Sequence, residues 1–180
     1  MKISDNISYI VNEPEKWKKY KNLVYTVKIC AADKNRIYNV KDRPGMVYNY
    51  LEDSYAPVCE GGIVITGIVG EMWTAGKNAL EKYCVPADEL GYEPAETLTV
   101  PTDKIMFGIM IPRDICFTLE ADYGEKALLT GNRPGIEHGR GDYILISSAV
   151  RNGRAEPDFS DSGRIVNGMI FEKVYREIQC

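Results

Sequence analysis

Histidine occurs once in the 180 residues, as His138. A Cys/His nucleophilic pair would need that ring beside a cysteine with an acid to orient it, and nothing in the sequence sets up such a trio. One imidazole also leaves a transition-metal site dependent on several converging carboxylates or thiolates. The cysteines (Cys30, Cys59, Cys84, Cys116 and Cys180) are odd in number, widely spaced and never form C-x-x-C. That spacing argues against a zinc site and against a disulfide framework. Long apolar runs are missing too: no stretch approaches the roughly 18 residues needed to span a bilayer. The first ten residues lack the apolar segment of a signal peptide. The expectation is a cytoplasmic protein with no membrane contact, no metal and no cofactor.

Bases are scarce in the middle of the chain. Residues 44–103 carry ten acids against only Lys77 and Lys82, a net charge of −8 in a protein whose total is −4. The remainder is therefore net basic, in part through Lys16-Trp-Lys-Lys-Tyr-Lys21. An acidic middle and a basic start make a field that steers a charged partner. The lysine cluster interleaves bases with aromatics, as contacts to nucleic acid require, so Lys16, Lys18, Lys19 and Lys21 are candidates for a weak nucleic-acid contact. It equally fits an amphipathic helix with Trp17 and Tyr20 packed inward and the lysines wet, and an overall pI of 5.2 favours that second reading.

Local signals suggest an α+β fold, rich in strands and mainly antiparallel. Residues 1–22 read as a basic N-terminal segment with a short helix opening at Pro14. Residues 23–85 read as a first β-rich unit, with strands at 23–30, 62–67 and 71–74, a hairpin partner at 36–40 and a helix at 76–84. The stretch 46–51 fits a strand or one helical turn. Residues 86–104, acidic and containing several prolines, read as a linker. Residues 105–180 read as a second β-rich unit, closed by an amphipathic helix over 169–178 with Ile170, Phe171, Val174 and Ile178 on one side.

The run Gly61-Gly-Ile-Val-Ile-Thr-Gly-Ile-Val-Gly-Glu-Met-Trp73 is rich enough in glycine to be weighed as a phosphate cradle. Glu71 stands where the anion would sit and no Lys-Ser/Thr follows, so the glycines read as turn residues between two strands. The same order recurs downstream. Gly62-Ile-Val-Ile-Thr, Gly70 and Leu80-Glu-Lys before a tyrosine are echoed by Gly141-Asp-Tyr-Ile-Leu-Ile-Ser, Gly163 and Phe171-Glu-Lys before a tyrosine. The expectation is two similar strand-strand-helix units around a shared core. The run from Arg140-Gly-Asp-Tyr to Val166-Asn-Gly-Met-Ile-Phe-Glu-Lys-Val-Tyr resembles the small PGDYG-type domains of phage and bacterial genomes. Residues 56–84 are similar to the same pattern, with Gly62 and Ile63 in place of its aspartate and tyrosine. The resemblance implies a tandem β-rich module of phage or prophage origin and no particular reaction.

No catalytic signature stands out, which points away from an enzyme. The twelve tyrosines sit often beside acids, and tyrosine gives large contact area at low entropic cost. Tyr48, Tyr50, Glu52, Asp53, Tyr55, Asp88, Glu89, Tyr92 and Glu93 are therefore the candidate partner-binding residues, suited to a basic surface that normally holds nucleic acid. The functional expectation is a non-enzymatic inhibitor of a host nucleic-acid-processing defence effector, of the anti-CRISPR type. The alternative is a small-ligand or nucleotide-binding domain, with hydrolase activity in one version, whose pocket lies near His138, Arg140 and Asp142.

Overall fold

The computed structural model describes residues 14–51, 53–110, 116–120, 126–130, 142–161 and 163–179. The chain divides into two compact units, one formed by Met1–Leu23 with Thr102–Cys180 and the other by Val24–Pro101. A single 3-10 turn, Pro14–Lys16, precedes the first strand, β1 (Lys18–Asn22).

The unit Val24–Pro101 holds β2 (Thr26–Ala31), β3 (Met46–Asn49), β4 (Ser54–Pro57), β5 (Ile63–Thr66), β6 (Met72–Ala75) and β7 (Ala95–Leu98). Four of these make an antiparallel sheet in the order β6-β5-β2-β7, while β3 and β4 pair as a separate hairpin. The apolar run of β5 is buried on both faces, as an unbroken β-branched run should be. Ile63 and Ile65 pack with Val27, Ile29 and Leu80, the last supplied by a 3-10 turn at Lys77–Lys82. Val64 packs on the other face with Cys30 and with Val47 of the hairpin. Each such buried side chain contributes about 1.5–3 kcal/mol. The hairpin is thus docked through Val47, and its tyrosines face outward.

The β5–β6 connection answers the question of the Gly-rich run. Gly67 N–H donates to the Glu71 carbonyl at 2.8 Å, and the Val69 N–H donates to the Glu71 carboxylate at 3.0 Å. Glu71 is buried, and a Cβ on Gly67 would lie 1.9 Å from its Oε1. Acid and glycine are a matched pair closing a tight turn, with the carboxylate occupying the amide an anion would need.

The other unit adds β8 (Ile105–Met110), β9 (Cys116–Glu120), β10 (Lys126–Thr130), β11 (Tyr143–Arg151), β12 (Arg154–Pro157), β13 (Arg164–Val166) and β14 (Tyr175–Glu177), with one helix, α1 (Gly168–Val174). The main sheet runs β12-β11-β8-β1-β14, β13 also pairs with β11, and β9 pairs with β10. All pairings are antiparallel. The Asn167 side chain caps α1 by accepting from the Met169 N–H at 2.9 Å. The helix then lays Phe171 against Tyr20 and Leu145.

The α+β expectation is overturned. Among the described residues there are fourteen strands, one seven-residue α-helix and two 3-10 turns, and no strand-strand-helix unit with a full helix exists. Helices this short gain little from local hydrogen bonding, so sheet pairing decides. The segment after Pro14 becomes β1 because β8 and β14 flank it, with Tyr20 opposite Met106 and Glu177. The helix read over 169–178 stops at Val174, since Leu23 N–H takes the Val174 carbonyl and Ile178 N–H takes that of Lys19. The 76–84 helix is reduced to the 3-10 turn, the stretch read as a 36–40 strand is irregular, and 46–51 resolves as a strand and turn. Inside the span read as a linker, Ala95–Leu98 pairs with β2. What recurs is a longer order. Strand, hairpin, strand, strand, helical turn, strand describes β2 to β7, and also β8 to β14 once the β12 arm is set aside.

Two tyrosines, Tyr20 buried and Tyr83 partly buried, give the fold a sign-definite pH dependence. Burial, helped by Tyr143 and Glu177, pushes the Tyr20 hydroxyl up to about 12, and burial with Tyr25 does the same for Tyr83. Unfolded tyrosine titrates at about 10, so the folded protein holds these protons more tightly. The contribution is fully present below pH 10 and is lost as pH rises through about 12. The melting temperature should fall across that window, and Tyr20→Phe should flatten the fall. A melting temperature unchanged between these limits would contradict this.

Candidate interaction surface

The candidate partner residues fall into two groups, both in the unit Val24–Pro101. The first lies on the hairpin. Tyr48 and Tyr55 are directly opposite each other across β3 and β4, with ring centroids 4.7 Å apart and planes 34° apart. The Tyr48 hydroxyl donates to Asp53 Oδ1 at 2.9 Å, a bond that holds this hydroxyl above its ordinary pKa. Tyr50 donates to the Val69 carbonyl at 2.8 Å, tying the hairpin to the Gly67–Glu71 turn. Burial first, then Glu71, raises its pKa. All these hydroxyls are therefore protonated donors at neutral pH. Tyr55 is half exposed, and the Arg43 guanidinium lies 5.6 Å over its ring.

The second group lies on the loop between the 3-10 turn and β7. Asp88 and Glu89 are exposed on a turn closed by Glu89 N–H to the Pro86 carbonyl at 3.1 Å. Tyr92 is 64% exposed. The backbone beneath it is pinned: Ala31 N–H donates to the Gly91 carbonyl at 2.7 Å, and Arg36 donates to the Tyr92 carbonyl. Arg36 also grips Glu93 with both arms of its fork, at 3.1 Å each. That bidentate pairing takes Glu93 out of the set of acids free to meet a partner. A hollow of about 390 Å³ beside the loop is lined in part by Tyr92, Leu90, Asp33 and Glu60.

The acidity read from residues 44–103 is diluted by folding. The unit Val24–Pro101 has eleven acids and seven bases, a net of −4, because Lys28, Lys34, Arg36, Lys41 and Arg43 fold into it. Lys28 lies 3.9 Å from Glu96, and such exposed pairs are worth little, about 0–1 kcal/mol. Sequence reasoning missed Arg36, Asn39, Lys41 and Arg43; the signal available was the basic stretch immediately before the acidic one.

The remaining candidates scatter. Glu52, His138 and Arg140 lie outside the described residues. Asp142 is fully buried just before β11. Three lysines of the N-terminal cluster are engaged within their own unit: Lys18 pairs with Glu177 at 3.0 Å, Lys21 with Asp103 at 3.7 Å, and Lys19 lies over Phe107 at 5.9 Å. Among the described residues no group of three metal-binding side chains converges, and no helix is long and apolar enough to cross a membrane. No protein-family model, curated protein or solved structure matches this chain.

Proposed function

We propose that the protein is a non-enzymatic binding protein of phage or prophage origin. In this reading the loop of residues 86–93 contacts a basic, nucleic-acid-binding surface of a host defence effector, as an anti-CRISPR-type inhibitor does. One observation carries the reading. Asp88, Glu89 and the exposed Tyr92 project from a backbone already fixed by Ala31 and Arg36. A pinned loop loses little freedom on association, and a tyrosine among carboxylates is suited to a surface rich in arginine and lysine. The two carboxylates supply steering, felt mainly in the association rate and its salt dependence. The resemblance of the two strand runs to phage-encoded domains is what adds the defence-effector class.

The test is capture from host lysate with the wild-type chain and with Asp88→Lys/Glu89→Lys/Tyr92→Ala. The wild type should retain a nucleic-acid-processing protein that heparin displaces, and the triple variant should bind it at least tenfold more weakly. Recovery of the same proteins by both forms, or of none that handles nucleic acid, would sink the reading.

A further inference from the structure

The outward face of the β3–β4 hairpin is walled by the loop that precedes it, and the two enclose an open groove of about 280 Å³. Its floor is the Tyr48–Tyr55 pair, and its wall brings in Lys41 and Arg43 with the amide side chain of Asn39. The groove's lining residues include two cations and no carboxylate. Among the described residues the neighbouring acids in sequence are Asp42, exposed between the two cations, and Asp53, whose Oδ1 already accepts from the Tyr48 hydroxyl.

The wall is fixed before any ligand arrives. Asn39 acts as a one-residue strand: its Nδ2 donates to the Tyr48 carbonyl at 2.7 Å, and its Oδ1 accepts from the Tyr48 N–H at 2.9 Å. Gly45 N–H donates to the Arg36 carbonyl at 2.8 Å, and the Val58 N–H donates to the Gly45 carbonyl at 2.8 Å. These four bonds clamp both ends of the segment that carries Lys41 and Arg43. A site assembled in advance spends little of its binding energy on ordering.

We propose that this groove is a nucleotide-binding site, in which Lys41 and Arg43 take the phosphate and the tyrosine pair takes the ring. Arg43 is suited to this because its planar fork matches a phosphate bidentately, and it already lies over Tyr55. The tyrosines supply a π-surface on which any base stacks, a contact worth about 1–3 kcal/mol per base and tolerant of sequence. Tyr55 is half exposed, and the Arg43 guanidinium that lies over its ring shares that surface with a bound base. The same chemistry belongs to a free nucleotide and to an unpaired nucleotide of a single strand. The inference does not rest on the 86–93 loop, with which the groove shares no residue.

Calorimetric titration of the full chain with adenosine 5′-monophosphate, adenosine, inorganic phosphate and a short oligothymidylate tests it. The monophosphate should bind at least tenfold more tightly than adenosine or phosphate alone. Arg43→Ala and Tyr55→Ala should each remove at least tenfold, and Arg43→Lys should restore part of the loss. Lys41→Ala, at an exposed position, provides a variant whose folding is not in question. Tighter binding of the oligomer than of the monophosphate identifies single-stranded nucleic acid as the ligand; equal or weaker binding identifies the free nucleotide. The variant in Asp88, Glu89 and Tyr92 should bind nucleotide as the wild type does. No heat or shift with any probe at millimolar concentration, or affinity that survives both Lys41→Ala and Arg43→Ala, would overturn the site.

Discussion

Phe171→Ala should cost the unit formed by residues 1–23 and 102–180 about 3–5 kcal/mol, the largest effect expected from any single truncation. Phe171 is 3% exposed and touches three other rings. It lies flat on Tyr143 at 3.6 Å, stacks on Tyr175 at 5.0 Å and meets Tyr20 edge-on at 4.7 Å. Those partners come from β11, from β14 and from β1, so one side chain joins α1 to three strands of the sheet. Truncation removes the transfer energy of the ring and also leaves a space that three rigid aromatics cannot close by rotamer changes. Because a domain of this size shifts by several degrees per kcal/mol, the thermal midpoint should drop by more than about 10 °C. Hydrogen exchange should show the loss of protection in β8 and β11. Phe171→Leu should fall between the two. A shift within about 3 °C for the alanine variant would mean the aromatic cluster is not what holds this unit.

Gly45→Ala comes second, at about 2–4 kcal/mol, for a different reason. Gly45 sits at φ +69°, a conformation that costs an L-residue about 1–2 kcal/mol. Its Cβ would also lie 2.6 Å from the Lys34 carbonyl oxygen and 3.0 Å from the Lys34 Cα, which are backbone atoms with no rotamer to change. Gly70 provides the comparison: it has φ +86° and nothing within 4 Å of the added carbon. Gly70→Ala should therefore show the backbone cost alone, and the difference between the two variants in denaturant midpoint measures the clash. Equal effects at the two glycines would contradict this account. The clash also carries a functional signature, since relieving it moves the segment that presents Lys41 and Arg43.

The buried apolar strands were legible in the sequence; the helices' true extent and the strands outside those runs, β1 and β7 among them, were not. Ile63-Val-Ile and Ile144-Leu-Ile are apolar runs flanked by glycine or acid, and such runs become buried strands wherever a partner strand exists. The helix signals at Pro14, Gly76 and Met169 were real at the first turn, where Asn167 does cap α1, but each extended reading needed the chain to ignore a distant partner. Tyr20 pairs with a residue 157 positions away, Glu177, and no local pattern announces that. The interaction residues followed the same division. Tyr48, Tyr55 and Tyr92 were picked as candidates because tyrosine among acids is a local signal. Arg36, which holds Tyr92 and Glu93, and Arg43, which lies over Tyr55, become their neighbours only after folding. A charge count over residues 44–103 stops one residue short of Arg43, and so misread a mixed surface as an acidic one. Asp142, named with His138 and Arg140 for the alternative ligand pocket, is fully buried just before the buried run Ile144–Ile146 of β11.

The place of β1 between β8 and β14 has a consequence for synthesis. The unit Val24–Pro101 is continuous in sequence, so all its strands have left the ribosome before the other unit has its second strand. β1 is made before either of its neighbours. At typical translation speeds the roughly 155 residues separating Asn22 from β14 take about 10–30 s to make. Until β8 follows, about 4–17 s after β1, Trp17 and Tyr20, buried in the finished protein, have no sheet to enter, and the other edge of β1 stays open until β14 is made. The nascent chain therefore carries β1 unsheltered over that interval, and the lysines on either side of Tyr20 act as the gatekeepers that keep it from pairing with a stranger.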